Sequence, residues 1–352
     1  MKHTFAHQII KWYHLNKRDL PWRNTKNPYY IWLSEIILQQ TRVVQGMPYY
    51  MAFIEKYPTV TDLAQADEQS VLKLWQGLGY YSRARNLHHT ARTIVQNHNG
   101  IFPDTYSELI KLKGIGDYTA AAIASFAFDE IVPTVDGNVY RVLSRYFGVE
   151  TPINLPPAKK EYRNLASELI DPTQPGTFNQ AIMEFGALQC VPVSPDCNIC
   201  PLNDSCLALQ MKKTTEWPIK HSSIKIKKRF FNYLVIHTSD GQTVLQKREK
   251  NDIWKHLYEF PLLESNGEWD ENQIIEALPK MNLQKEYLSG IQLLNVHPIK
   301  HKLTHQEIQI KFWKIDYQNT LNQSISRQEL MHFPFPIVIH NFIEKYALGV
   351  SF

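Results

Sequence analysis

All four cysteines of this 352-residue chain fall within 17 residues, as Cys190, Cys197, Cys200 and Cys206, spaced C-x6-C-x2-C-x5-C. A cytosolic chain rarely keeps disulfides, and four thiols packed this closely are spaced to converge on one metal centre. Thiolates alone do not select the metal, so a tetrahedral four-cysteine zinc site stays open at this point. Val191-Pro192-Val193-Ser194-Pro195 and Pro201 stiffen the segment, which suits a structural centre better than a redox-cycling one.

The length exceeds what one hydrophobic core organises, which predicts two domains. With 43% hydrophobic and 20% charged residues, the composition excludes disordered and fibrous classes, and the core can form without staples. No apolar run approaches the roughly 20 residues that cross a bilayer, and the first seven residues lack the apolar stretch of a signal peptide. The expectation is a cytoplasmic protein with no membrane partner. A net charge of +4 does not by itself imply a polyanionic partner. Residues 212–229, however, carry Lys212, Lys213, Lys220, Lys225, Lys227, Lys228 and Arg229 against only Glu216, which reads as either a solvated basic linker or a phosphate contact.

Up to about residue 207 the periodicity is helical. It predicts helices near 2–15, 28–42, 46–57, 68–75, 82–98, 116–127, 136–147, 158–170 and 176–188. From Arg229 the pattern alternates through Phe231, Tyr233 and Val235, turns at Asp240-Gly241, and resumes at Thr243–Gln246, the signature of a hairpin. Glu307–Tyr317 reads as another half-buried strand, and helices are expected at 271–279 and 337–347. The organisation is therefore an all-α domain over 1–207, a basic linker over 208–228 and an α+β domain over 229–352.

Leu112-Lys113-Gly114-Ile115-Gly116-Asp117-Tyr118 precedes the small-residue helix Ala120–Ala124. Gly114 and Gly116 allow a tight turn whose amides are free to hold a phosphate, although such a turn also serves simply to connect helices. Eighteen positions after Tyr118, Asp136 opens Val135-Asp136-Gly137-Asn138 at a helix start, where it reads equally as an N-cap. Glu35, Gln39 and Arg42 fall at i, i+4 and i+7, so a helix running through residue 42 places them on one face. Taken alone, that face reads as a solvated stripe.

The hairpin, the aspartate and the cysteine loop, in this order, resemble the endonuclease III superfamily of helix-hairpin-helix DNA glycosylases. Pro21-Trp22-Arg23, Ser34-Glu35-Ile36-Ile37-Leu38-Gln39-Gln40-Thr41, Gly77-Leu78-Gly79-Tyr80 and Phe178-Asn179-Gln180-Ala181 further resemble its MutY branch, the adenine glycosylases. The resemblance implies a multidomain protein: an all-α helix-hairpin-helix glycosylase with an iron–sulfur cluster loop, followed by an α+β Nudix-like domain. It implies that Cys190, Cys197, Cys200 and Cys206 hold a 4Fe-4S cluster, and that Gly114 and Gly116 grip DNA backbone, with a monovalent cation at the hairpin.

The same resemblance assigns catalytic roles to Glu35, Tyr118, Asp136 and Asn138. Glu35 would protonate adenine at ring nitrogen seven, and Asp136 would manage the oxocarbenium-like sugar, the two-carboxylate logic of glycoside hydrolysis. Desolvation by Trp32, Ile36 and Ile37 would keep Glu35 protonated. Tyr118 stands where bifunctional relatives carry a lysine. A tyrosine cannot form a Schiff base, which implies a monofunctional enzyme. Adenine must be flipped out of the stack. Arg23 and Gln180 would line its pocket, Gln40 and Tyr80 would fill and wedge the duplex, and Leu38 and Thr41 would lie beside the lesion strand. The implied partner is double-stranded DNA containing A:8-oxoguanine or A:G mispairs, met by a monomer at the nucleoid.

In the second half, Trp254–Pro261 resembles the family's G-L-W-E-F-P motif, with departures at His256 and Tyr258. Leu303-Thr304-His305 stands where the lesion-reading loop is usually F-S-H, so Thr304 and His305 are the implied contacts to 8-oxoguanine. A Nudix pyrophosphohydrolase would need a metal-binding box with R-E-x-x-E-E, which Glu268–Met281 lacks. A bifunctional thymine-glycol glycosylase is disfavoured by Tyr118 and Glu35. A noncatalytic DNA-binding protein would need neither carboxylate, and strand nicking after alkali separates it from an enzyme.

Overall fold

The computed structural model describes residues 2–221, 226–322 and 324–346. Lys225 of the basic stretch and the end of the last expected helix lie outside the described residues. The chain divides into two compact units: Met1–Gln65 with Asn86–Ser222, and Ala66–Arg85 with Ser223–Phe352.

The first unit is helical. In chain order come α1 (Lys2–Asn16), α2 (Pro28–Leu38), α3 (Val43–Lys56) and α4 (Val60–Gln65). The chain then enters the second unit with α5 (Glu68–Leu74) and returns along α6 (Ser82–His98), whose first residues belong to that unit. The first unit continues through α7 (Tyr106–Leu109), α8 (Asp117–Phe128), α9 (Gly137–Phe147), α10 (Pro156–Leu169), α11 (Pro175–Leu188) and α12 (Leu207–Gln210). Phe5, Ile9, Leu143, Tyr162, Phe178 and Phe185 are fully buried at its core, where α1, α9, α10 and α11 meet. Among the described residues, no helix is long and apolar enough to cross a membrane.

Three local features position the site. Asn27 caps α2, its side chain accepting from the Tyr29 amide at 3.0 Å with Pro28 at the first helical position, as its sequence predicts. The helix nevertheless stops at Leu38. Gln39 leaves the helical conformation with ψ 115° and Gln40 takes φ +56°, so Arg42 becomes the N-cap residue of α3. Glu35, Gln39 and Arg42 therefore do not share one helical face. A left-handed glutamine has no signature in the sequence, because the pattern around it carries neither glycine nor proline.

The second feature is Gly114. It has φ +79°, and a Cβ there would stand 2.6 Å from that of Asn86, so only glycine fits between α6 and the start of α8. The third is Gly186. A Cβ at this residue would lie 2.7 Å from the Asn138 Cβ, so its absence lets α11 approach the first turn of α9.

In the second unit, β1 (Lys227–Thr238) lies at the centre of a sheet ordered β5-β1-β8-β6, with β7 also pairing β8. Here β5 is Leu262–Ser265, β6 is Leu288–Leu293, β7 is Ile299–Lys302 and β8 is Gln306–Tyr317. The β1–β8 pairing is parallel from Lys227↔Gln306 to Thr238↔Tyr317, and the others are antiparallel. The turn at Asp240-Gly241 is present, with Gly241 at φ +76°. The expected hairpin partner is not, because β2 (Thr243–Val244) pairs β9 (Ser324–Ile325) and β3 (Gln246–Lys247) pairs β4 (Tyr258–Glu259). Nor is β1 half-buried: α13 (Glu271–Ala277) packs Ile274 and Ala277 with Leu234 and Ile236, while Phe342 of α14 (Ile337–Tyr346) stacks on Phe312 at 3.6 Å. A strand covered on both faces loses its polar alternation.

Candidate functional site

One cavity of about 950 Å³ in the helical unit gathers nine of the residues singled out above: Arg23, Glu35, Leu38, Gln40, Thr41, Tyr118, Asp136, Asn138 and Gln180. Glu35 reaches it from the last turns of α2, where Ile31 and Leu38 share its face. Trp32, Ile36 and Ile37 are buried but do not line the cavity; the Trp32 ring packs edge-on against Phe102, and Ile37 lies beside Gly46 of α3. Burial pushes the Glu35 carboxyl up to about 7 from its ordinary 4.5. A hydrogen bond from Tyr118 and the Arg23 charge oppose the shift, and the nearby Asp136 charge adds to it. Tyr118 stands at the start of α8, its hydroxyl also 3.7 Å from Met183 Sδ. Burial keeps that phenol protonated far above neutral pH.

Asp136 caps α9. One carboxylate oxygen accepts from the amides of Asn138 at 2.9 Å and Val139 at 2.8 Å, and the other accepts from the Asn138 side chain at 2.8 Å. The N-cap and cavity readings are thus both true of one side chain. Burial raises its carboxyl, while these donors and Arg141 pull it down; the N-terminal end of the helix dipole adds to the pull. Two carboxyls therefore share a cavity in unlike settings, one desolvated against Ile31 and Leu38, the other ringed by donors. Burial raises both carboxyls, and more donors oppose the rise at Asp136 than at Glu35.

Sequence reading missed the ion cluster on the cavity wall. Glu184 of α11 has a side chain only 1% exposed. It accepts from the Arg18 amide and Nε, each at 2.9 Å, and from Arg23 Nη1 and Nη2 at 2.8 and 2.7 Å. The available signal was a lone carboxylate in the apolar run Ala181-Ile182-Met183-Glu184-Phe185, which demands a buried partner. Gln180 accepts from the Tyr13 hydroxyl at 2.8 Å.

Gly114 and Gly116 lie in the turn ahead of α8, outside the cavity lining. Tyr80, Thr304 and His305 lie in the second unit. Thr304 and His305 are exposed in the turn between β7 and β8, and Thr304 Oγ1 lies 2.5 Å from the Tyr80 hydroxyl. Tyr80 takes φ +46° after Gly77 and Gly79, both left-handed, and is half exposed. His256, the departure within the Trp254–Pro261 motif, pairs through Nδ1 with Glu68 of α5 at 2.6 Å.

The four cysteines are free thiols. Those of Cys197, Cys200 and Cys206 are raised by burial, with the charge of Cys190 adding to each, Cys200 to about 12. Arg141 and Arg145 of α9 tie the start of their loop, donating to the Cys190 carbonyl at 2.7 Å and the Val191 carbonyl at 2.8 Å; Arg145 also lies 3.4 Å from Cys190 Sγ. Among the described residues, no three His, Cys, Asp or Glu side chains are grouped as ligands of a single metal ion. The donor set itself, four soft thiols that interact electrostatically, fits a thiolate-bound iron–sulfur group.

The family of helix-hairpin-helix base excision DNA repair proteins (HhH-GPD superfamily) matches residues 33–172, and a NUDIX domain matches 232–345. An adenine DNA glycosylase of Buchnera aphidicola subsp. Baizongia pistaciae is 38% identical over 312 residues, covering 87% of this chain and 84% of the relative. The chain belongs to the adenine DNA glycosylase family. The Arabidopsis thaliana adenine DNA glycosylase is also 38% identical, over 74% of this chain and 48% of its own length. Among solved structures, a thermostable thymine-DNA glycosylase is similar with TM-score 0.56 and 30% identity, over 60% of this chain and 97% of that one. An endonuclease III–DNA complex shares the fold with TM-score 0.52 and 22% identity, over 60% and 98%. The family's two-part architecture is thus present here, a helix-hairpin-helix glycosylase fold followed by a strand-rich Nudix-like domain.

Proposed function

We propose that the chain is a monofunctional glycosylase that excises adenine mispaired with 8-oxoguanine or guanine, acting as a monomer in the cytoplasm on double-stranded DNA. The observation that supports this reading most is Glu35, buried beside Asp136 in one cavity with a carboxyl that holds its proton near neutral pH. Adenine flipped from the stack enters beside Arg23 and Gln180. Glu35 gives its proton to ring nitrogen seven, and the N-glycosidic bond breaks with its electron pair leaving on the base. The Asp136 carboxylate stabilises or transiently traps the cationic sugar, with Tyr118 and Asn138 positioning the carboxylates, until water adds to the sugar carbon and gives a proton back to the Glu35 carboxylate. Leu38, Gln40 and Thr41 contact the duplex beside the flipped base. The hairpin amides at Gly114 and Gly116 hold DNA backbone, with a monovalent cation. In this reading residues 1–207 carry the chemistry, 208–228 link, and 229–352 read the lesion. The purified protein should release adenine from a duplex opposite 8-oxoguanine, and failure to release it would overturn the proposal.

Because Tyr118 offers no amine, the product strand should stay intact until heat or alkali is applied. Borohydride should trap no covalent protein–DNA adduct at the level of a true bifunctional lyase, and trapping at that level would exclude this mechanism. The four cysteines are proposed to hold a 4Fe-4S cluster, whose chemistry is structural here and enters no step of excision. Protein purified anaerobically should be brown, absorb broadly near about 400 nm and contain about four irons per chain. Stoichiometric zinc without iron would refute that assignment.

A further inference from the structure

The Arg18–Glu184–Arg23 cluster is more than a clip between the chain ahead of α2 and α11. All three side chains line the cavity that holds Glu35, and their charges do not cancel: two guanidiniums face one carboxylate. Arg23 faces the Glu35 carboxyl from the 3-10 turn Pro21–Arg23. Tyr118 does so from α8 and Asp136 from the cap of α9, where Arg141 lies against Asp136. Arg42 is the other charged residue of the lining, and α3 adds only Val43 and Val44. Within this set Arg23 works against an acid that must stay protonated, and Glu184 is its bidentate counter-ion.

Taking Glu35 as the acid of the preceding section, we propose that Glu184 is a positioning residue for excision: it locks Arg18 and Arg23 into the cavity wall and offsets part of the charge that Arg23 turns on Glu35. An ion pair serving only the fold would hold the same hydrogen bonds but leave the titration of Glu35 unchanged. Removing the carboxylate alone exposes Glu35 to a bare guanidinium, and removing both partners leaves Arg18 alone and returns the wall to its wild-type net charge.

The test titrates Glu35 directly in the full-length protein, through the infrared band of its protonated carboxyl, assigned by its loss in Glu35→Gln. Glu184→Gln should lower the midpoint by about one pH unit, the scale of a nearby unpaired charge. Adding Arg23→Met should return it towards the wild-type position. Should Glu184→Gln fail to fold, Arg23→Met alone should raise the midpoint, and adding Glu184→Gln to it should bring the midpoint down again; the double variant buries no unpaired member of that pair. In single-turnover excision the alkaline limb of the rate profile should move with the band. A midpoint unmoved by Glu184→Gln, or unmoved between Arg23→Met and the double variant, would overturn the proposal. If the midpoint shifts as expected but the wild-type protein releases no adenine, the reading as an adenine glycosylase fails while the electrostatic role of Glu184 stands.

Discussion

Glu35→Gln is expected to abolish adenine excision while leaving DNA binding largely intact. The amide keeps the shape of the side chain and can still bond the Tyr118 hydroxyl, but it has no proton to give a leaving base. General acid catalysis contributes about 100- to 10,000-fold, so single-turnover rates should fall by at least that range. The wild-type rate should fall about tenfold per pH unit above about pH 7, as Glu35 loses its proton, and should fall again on the acid side, where the Asp136 carboxylate takes one up. A residual rate within tenfold of wild type, or a profile with no alkaline limb, would remove Glu35 from the mechanism.

The same substitution has a consequence for stability with a definite sign. The folded pKa of about 7 lies above the ordinary 4.5, so ionising Glu35 works against the folded state. The wild-type protein is unaffected below about pH 4.5, loses stability as pH rises towards 7, and stays lower by a constant amount above that. A shift of this size corresponds to about 3 kcal/mol. Glu35→Gln escapes it, so the variant's unfolding free energy relative to wild type should rise with pH across that window. Chemical denaturation at pH 5 and pH 8 measures the difference. An inactive variant that gains stability at alkaline pH is the mark of a residue kept for chemistry at the expense of the fold.

What the sequence discloses here depends on whether a residue's reason is local. Gly114 announces itself, because a left-handed turn packed against Asn86 tolerates nothing else. Asp136 is legible as a cap and, once the hairpin and cysteine spacing are recognised, as a candidate catalytic carboxylate. The break in α2 at Gln40 is not legible, since the backbone there is set by tertiary surroundings and glutamine carries no turn signal. Glu184 hides for a different reason: its partners lie more than 160 residues away, and an isolated glutamate in a helix ordinarily faces water. The pairing of β1 with β8 rather than with the segment after Asp240-Gly241 is likewise a nonlocal choice, driven by two long strands whose union buries more than a short hairpin would. The placement of Ala66–Arg85 with the strand-rich unit has no periodic signature at all. It follows from specific contacts such as Lys73 Nζ to the Phe333 carbonyl at 3.1 Å and Gln76 Oε1 to the Phe335 amide at 3.1 Å.

That placement sharpens the expectation for the lesion-reading half. Tyr80 and Thr304 belong to one compact unit and share a hydrogen bond, so the proposed wedge and the proposed reader form one group held from two chain segments. The left-handed backbone at Tyr80, unusual for an aromatic residue, is fixed by the turn through Gly77 and Gly79; the Trp75 indole donates to the Gly79 carbonyl at 3.1 Å and Arg83 lies over the Tyr80 ring. Thr304→Ala combined with His305→Ala removes the side-chain groups able to bond the damaged guanine, and a lost bond of this kind is worth about 1 to 3 kcal/mol. Binding to A opposite 8-oxoguanine should therefore weaken about 5- to 150-fold, and binding to A opposite G much less. Tyr80→Phe frees Thr304 from its partner while keeping the ring, so it should reduce the same preference by a smaller factor, with single-turnover rates on both duplexes moving in parallel. All three substitutions leave Glu35, Tyr118, Asp136 and Asn138 in place, so excision itself should persist. If the double variant keeps its full preference for the oxidised guanine, Leu303–His305 is not the reader, and discrimination must lie with Gln40 and Thr41 on the cavity wall or with the Tyr80 ring.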